Sequence, residues 1–147
     1  MQNGFWDAAG LDGVKTPVLF VAGSADSVAG YEKGTRALFT GAVRADRYLL
    51  TFVDANHNAG APIPAPAETY RYSEAQKSYP FIHYADAVWD SVRMNNIFDH
   101  FATAWFDWLV KGDQARRAYL QPAADGALPG FQARTAVGLR LEHLTAK

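Results

Sequence analysis

The sequence predicts an α/β fold in which parallel strands are flanked by helices. Residues 17–22 form a continuous apolar run, which is typical of a strand buried on both faces of a parallel sheet. A segment of helical spacing at 30–39 separates this run from a second strand-like run at 47–53. A strand, a helix and a strand of these lengths make one crossover unit. The 147 residues fit a single domain, which we divide into a core at 14–120 and an extended tail at 121–147.

Each of the first elements has its own signal. The first strand ends at Gly23, and the loop that follows carries Asp26. The helix over 30–39 is expected to end near Gly41, because glycine is the common residue beyond a helix C-terminus. The second strand leads directly into a turn at 54–58 that carries His57.

The amino-acid composition changes in the middle of the chain. Residues 58–83 contain four prolines, which rule out a long helix. These are Pro62, Pro64, Pro66 and Pro80. Aromatic residues share the segment, so we expect an ordered excursion packed on the domain as a rim over a site.

A long amphipathic helix is expected next, at about 84–111. Its apolar residues recur every three or four positions, which favours a broad buried stripe. They are Met94, Ile97, Phe98, Phe101, Trp105, Trp108 and Leu109. Gly112 provides a left-handed C-terminal cap, and Asp113 can cap a short helix that follows.

Composition excludes several classes of function. Fourteen basic and fifteen acidic residues give a net charge of −1, so neither nucleic acid nor a membrane is expected as a partner. The absence of cysteine excludes disulfides, thiolate zinc sites and a cysteine nucleophile. The first residues of the sequence lack the basic start and apolar core that are typical of a signal peptide, and no apolar run approaches the roughly 20 residues of a membrane-spanning helix. The compartment stays open, with the cytoplasm favoured.

Asp26 and His57 are the candidate catalytic residues. They are 31 positions apart, and each follows a strand, so both should lie at the edge where open α/β sheets bind ligands. A histidine acting as general base needs an acceptor on one ring nitrogen, which a neighbouring carboxylate supplies. Two alternatives remain: Asp26 as a turn former with His57 solvated, and Asp54 as the residue that orients the histidine.

The order of acid and histidine fits the last two members of a serine-hydrolase triad, whose chain order is Ser, Asp or Glu, His. No G-x-S-x-G nucleophile elbow occurs in the chain. Five serines are present, none in that pattern: Ser24, Ser27, Ser73, Ser78 and Ser91. The four histidines are widely spaced and no G-x-G-x-x-G loop is present, so we expect neither a metal nor a nucleotide cofactor.

Several segments resemble a known family. Thr16–Asp26 and Phe52–His57 are similar to the C-terminal third of dienelactone hydrolase-like α/β-hydrolases, and Trp89–Phe101 resembles the final helix of bacterial members. The resemblance implies the C-terminal half of an α/β-hydrolase fold, with Asp26 as triad acid and His57 as triad base. It also implies hydrolysis of a small-molecule carboxylic ester or lactone through an acyl-enzyme, without a cofactor.

In that family the nucleophile and the oxyanion hole lie upstream of these segments. The resemblance therefore implies an incomplete domain, completed by an N-terminal half or by a second copy of the chain. The alternative is a non-catalytic α/β interaction module that pairs through an exposed sheet edge. A flavodoxin-type nucleotide-binding domain is a third possibility, but it would need a phosphate-binding loop that the sequence lacks.

Overall fold

A three-stranded sheet organises the part of the chain that the computed structural model describes, residues 7–61, 63–132 and 134–147. The strands are β1 (Val18–Gly23), β2 (Arg47–Phe52) and β3 (Leu139–Leu144), in the spatial order β1-β2-β3. Helices pack on the sheet, so the α/β class is confirmed. Residues 1–6 and Pro62 lie outside the described ranges. Pro62 is one of the four prolines on which the prediction for residues 58–83 depends.

The predicted pairing of the first two strands is confirmed. β1 and β2 are parallel, with Val18 opposite Arg47 and Gly23 opposite Phe52. All six residues of β2 are buried, as the central position of that strand requires. The two strands therefore end at the same edge of the sheet, which brings the loops after them together.

The sheet as a whole is mixed, because β3 runs antiparallel to β2, and the parallel arrangement expected from the sequence holds for β1 and β2. Arg47 pairs with Leu144 and Phe52 pairs with Leu139. Charged residues interrupt the apolar ones in β3, so its strand signal is weaker than those of β1 and β2. The segment after residue 120, treated as a tail in the sequence, supplies β3 and also places Leu128 and Leu141 in the core.

Three α-helices accompany the sheet. Helix α1 spans Ala8–Asp12, and helix α2 spans Arg36–Gly41 after a π-helical turn at Tyr31–Thr35, close to the helix expected over 30–39. Helix α3 spans Ser91–Leu109. Short 3₁₀ helices complete the described elements, at Ala67–Tyr70, Pro80–His83 and Gln114–Leu120.

Helix α3 begins seven residues later than the sequence predicts. The Asp90 side chain accepts a hydrogen bond from the Arg93 N–H at 2.8 Å and so caps the helix at Ser91. Upstream, the Asp86 carboxylate accepts from the N–H groups of Val88 and Trp89 at 2.8 and 2.9 Å. These local bonds give the backbone an alternative to a helix.

The core lies on both faces of the sheet. On one face, Met94, Ile97, Phe101 and Trp108 of α3 are buried against β2 and β3, which confirms most of the predicted stripe. Trp105 is only partly buried, and Leu109 is exposed. A smaller cluster fills the other face, formed by Ala22, Tyr31, Phe39 and Leu49.

Candidate active site

The structure brings Asp26 and His57 into direct contact. The Oδ2 atom of Asp26 lies 2.9 Å from Nδ1 of His57, a hydrogen-bond distance. Asp26 follows β1 and His57 follows β2, so the contact forms at the shared carboxyl end of the two parallel strands. The Asp26 side chain is 6% exposed, whereas that of His57 is 49% exposed. The acid is therefore enclosed, and the imidazole faces solvent.

The surroundings of Asp26 favour its ionised form. Burial raises the pKa of Asp26, but the hydrogen bonds from His57 and from the N–H groups of Ala29 and Val28 outweigh burial and hold the pKa below its ordinary value. The two backbone bonds to Oδ1 measure 2.9 and 2.8 Å. An ionised carboxylate only accepts hydrogen bonds, so Nδ1 of the neutral ring donates and Nε2 is left as the acceptor.

Gly23 allows the two loops to approach each other. A Cβ atom at this position would collide with the carbonyl oxygens of Ala55 and Asn56, in the turn that carries His57. The next residue, Ser24, accepts a hydrogen bond from the Asp54 N–H at 2.8 Å through Oγ. Sequence reasoning did not assign a role to either residue, although a glycine closing a buried strand is a known sign of close backbone approach.

The His57 turn is also held on its far side. Asn58 Nδ2 donates to the carbonyl oxygens of Ile82 and Ala85, at 2.7 and 2.9 Å. The excursion after residue 58 thus returns to the turn and contacts it next to His57. Asp54, the alternative orienting residue, has a left-handed backbone with φ of 62°, and it is Asp26 that bonds to the ring.

An oriented imidazole of this kind can take a proton from a nearby hydroxyl group. All five serines of the chain are within the described residues, and none is hydrogen-bonded to His57 there. Ser24 Oγ is used by Asp54, Ser73 Oγ accepts from Gln76, and Ser91 Oγ donates to the carbonyl of Tyr84. The described residues therefore contain an acid and a base, and none of their serine hydroxyls is hydrogen-bonded to that base.

Two surface clefts of the described residues lie away from this pair. Two clefts of about 500 and 530 Å³ run along α3 and meet at His100 and Gly130, away from Asp26 and His57. The ring of His100 packs edge-on against Phe101 and Phe131. Burial lowers the pKa of His100 despite an opposing bond with the Pro129 carbonyl, so the ring is favoured as neutral.

In the described ranges, no group of three or more His, Asp or Glu side chains is arranged to hold a metal ion. None of the helices described there combines the length and the apolar character needed to cross a membrane.

The fold and site define a class of protein: a mixed α/β domain with an acid–histidine pair at the carboxyl ends of parallel strands. Comparisons with protein-family models, with curated proteins and with solved structures found no match for this chain. A function is therefore inferred from the chemistry of the pair.

Proposed function

We propose that this chain supplies the acid and the base of a serine hydrolase acting on carboxylic esters or lactones. Asp26 is the acid and His57 the base, and the nucleophilic serine comes from another polypeptide segment that completes the domain. In this proposal the α/β fold is the C-terminal half of an α/β-hydrolase, similar to dienelactone hydrolases. The partners are a small-molecule ester or lactone and the segment that completes the domain.

One observation carries the proposal. The Asp26–His57 contact at 2.9 Å joins an enclosed carboxylate to a half-exposed imidazole. A histidine that merely stabilises the fold would gain by burying its ring in such a bond. Here the ring is anchored on Nδ1 and presents its other edge to solvent, as a general base must. Parallel β1 and β2 place both loops where α/β sheets bind ligands.

The chemistry would proceed in two halves. Nε2 of His57 takes the proton of the serine hydroxyl while the serine oxygen attacks the ester carbonyl. The imidazolium, stabilised by Asp26, then gives that proton to the leaving alcohol as the carbon–oxygen bond of the ester breaks. Water repeats the sequence on the acyl-serine, releasing the acid and restoring both groups. A lactone follows the same steps, with its alcohol still attached to the acyl chain.

The test compares the chain alone with a completed enzyme. The purified chain should neither turn over p-nitrophenyl acetate nor react with a fluorophosphonate, because its serines do not contact His57. Fusion to an N-terminal half that carries a G-x-S-x-G elbow should produce turnover. In that enzyme His57→Ala should reduce turnover on the order of 10³-fold or more. Asp26→Asn should also be severe, since it favours the wrong tautomer.

Two results would refute the proposal. Fluorophosphonate-sensitive esterase activity in the purified chain would place the nucleophile on one of its own serines. A completed, folded enzyme whose turnover is indifferent to His57→Ala would show that the pair has no catalytic role.

A second candidate function is a non-catalytic module that pairs through its sheet edge. The observation that favours it is the open edge of β1, which, among the described residues, has a hydrogen-bonded neighbouring strand only on the β2 side. Its first four residues stay partly exposed, whereas β2 is fully buried. β1 carries no charged residue, while the other edge strand, β3, contains Arg140 and Glu142. If self-association is lost when this edge is blocked but is unaffected by His57→Ala, the non-catalytic module is favoured over the hydrolase.

A further inference from the structure

We propose that Asp86 is a positioning residue that holds His57 against Asp26, an inference that rests on the proposed function of the pair. Asp86 lies in the segment between the proline-rich excursion and α3. It does not touch the imidazole. It acts through the backbone of Asn56, the residue that precedes His57.

The Asp86 carboxylate accepts three backbone hydrogen bonds. Its Oδ2 atom accepts from the Asn56 N–H at 2.7 Å. Its Oδ1 atom accepts from the N–H groups of Val88 and Trp89, at 2.8 and 2.9 Å. One carboxylate therefore ties the His57 turn to the start of the segment that enters α3.

The arrangement repeats that of Asp26 on the other side of the turn. Both carboxylates use Oδ1 to accept from the N–H groups two and three residues further on. Both use Oδ2 to bind the His57 turn, Asp26 through the imidazole and Asp86 through the N–H of Asn56. His57 is thus held from two sides, by its own ring and through the backbone of the preceding residue, Asn56.

A second contact supports the same alignment. Trp89, whose N–H is bound by Asp86, donates its indole Nε1–H to the Val53 carbonyl at 2.7 Å. Asp86 and Trp89 therefore bind the chain around His57 at two points, Asn56 within the turn and Val53 directly before it. Since hydrogen bonds weaken steeply with distance and angle, a shift of about 1 Å in this turn would disrupt the bond between Asp26 and His57.

Asp86→Asn is the informative variant. Asparagine retains an oxygen that can accept from Val88 and Trp89, so the local turn is preserved. Its NH₂ group would then face the Asn56 N–H, and two donors cannot bond. The substitution therefore removes the link to the His57 turn and leaves the entry to α3 in place.

The readout is the tautomer of His57, measured by ¹⁵N NMR on the purified chain at a pH where the ring is neutral. His57→Gln identifies the signal. In the wild type, the Nδ1–H form should dominate. In Asp86→Asn, the ratio of the Nδ1–H to the Nε2–H form should fall about three- to tenfold, the effect of weakening one hydrogen bond. Thermal unfolding of each variant shows that it is folded.

Asp90→Asn is the matched control. Asp90 lies on the same segment and caps α3 through the Arg93 N–H, with no bond to the His57 turn. Asparagine caps a helix as well as aspartate does, and the charge change is the same. This variant should leave the His57 tautomer unchanged. Asp26→Asn is the positive control, because it acts on the ring directly.

If Asp86→Asn folds and its ratio of the Nδ1–H to the Nε2–H form of His57 is unchanged, the inference is overturned. The same holds if Asp90→Asn changes that ratio by as much as Asp86→Asn does. If Asp86→Asn does not fold, the wild type decides: an NMR coupling across the hydrogen bond must link the Asn56 amide to the Asp86 carboxyl carbon, and its absence overturns the inference. A tautomer change together with an inactive completed enzyme would keep the role of Asp86 and refute only the hydrolase.

Discussion

Gly23 leaves the space that the close approach of the two site loops requires. Replacing it by alanine puts a Cβ atom against backbone oxygens of Ala55 and Asn56, and neither oxygen can move without shifting the His57 turn. Overpacking of this kind costs typically about 1–3 kcal/mol. We expect Gly23→Ala to lower the free energy of unfolding by about that amount in urea titrations, and to weaken the bond between Asp26 and His57.

Gly13→Ala is the matched control for that change. Gly13 has an ordinary helical φ of −75°, and an added Cβ would lie 3.5 Å from the Gly10 carbonyl oxygen, a normal contact. Alanine there should be neutral or slightly stabilising. Equal stability of the two variants would mean that β1 and the His57 turn are not held as closely as described.

The carboxyl group of Asp26 should make stability depend on pH. Its pKa in the folded chain lies below the ordinary value of 3.8, so the ionised group stabilises the fold above about that pH. This contribution is lost as the pH falls through the lower folded-state value. The stability gap between the wild type and Asp26→Asn should therefore be constant above about pH 5 and narrow on further acidification. Chemical unfolding of both proteins at a series of pH values measures this difference in stability. A difference that widens in acid would contradict the predicted direction of the pH dependence.

At the scale of elements, α3 should show a sharp contrast between its two faces. Phe101 is 0% exposed in the core, whereas Phe106 on the same helix is 59% exposed. Phe101→Ala should cost about 3–5 kcal/mol, as large-to-small changes in a core do. Phe106→Ala should change stability by no more than about 0.5 kcal/mol. Similar losses from the two variants in thermal or urea unfolding would show that α3 is not packed as described.

The helices and strands that could be predicted well from the sequence are those with strong local patterns. β1 follows from its unbroken apolar run, and most of the buried face of α3 follows from its spacing. β3 was not assigned, because its partner β2 is distant in the chain and charged residues interrupt it. The start of α3 was misplaced because the bonds of Asp86 and Asp90 to nearby N–H groups have no counterpart in periodicity.

The same limit applies to the site. Asp26 and His57 could be predicted because strand ends in parallel sheets converge, and each residue follows such an end. The residues that hold them could not: Gly23 acts through a close approach, and Asp86 reaches the turn from 30 positions away. Contacts of that kind depend on the final packing rather than on any local pattern.

At the scale of the whole molecule, the open edge of β1 should govern association. Val18 begins this strand, is only partly buried, and belongs to neither core cluster. Val18→Lys places a charge on the edge, which is how natural proteins block strand pairing. We expect concentration-dependent association of the wild type in sedimentation experiments, and a marked reduction in Val18→Lys.

Val110→Lys is the control for association, since Val110 is 76% exposed beyond the end of α3 and far in sequence from β1. It adds the same charge and should leave association unchanged. An equal reduction of association in both variants would show that the effect comes from net charge rather than from the β1 edge. A wild type that stays monomeric at all concentrations would contradict self-pairing through this edge.

The position of β3 in the chain has a consequence for the order of folding. The bond between Asp26 and His57 closes a segment of 31 positions, whereas the Arg47 guanidinium reaches the Thr145 carbonyl, beyond β3, across 98 positions. Contacts that are close in sequence form with a smaller loss of chain entropy, and distant pairings slow folding. The β1–α2–β2 unit should consequently assemble first, with the acid and the base already facing each other, and β3 should join this nucleus in the slower step that completes the sheet.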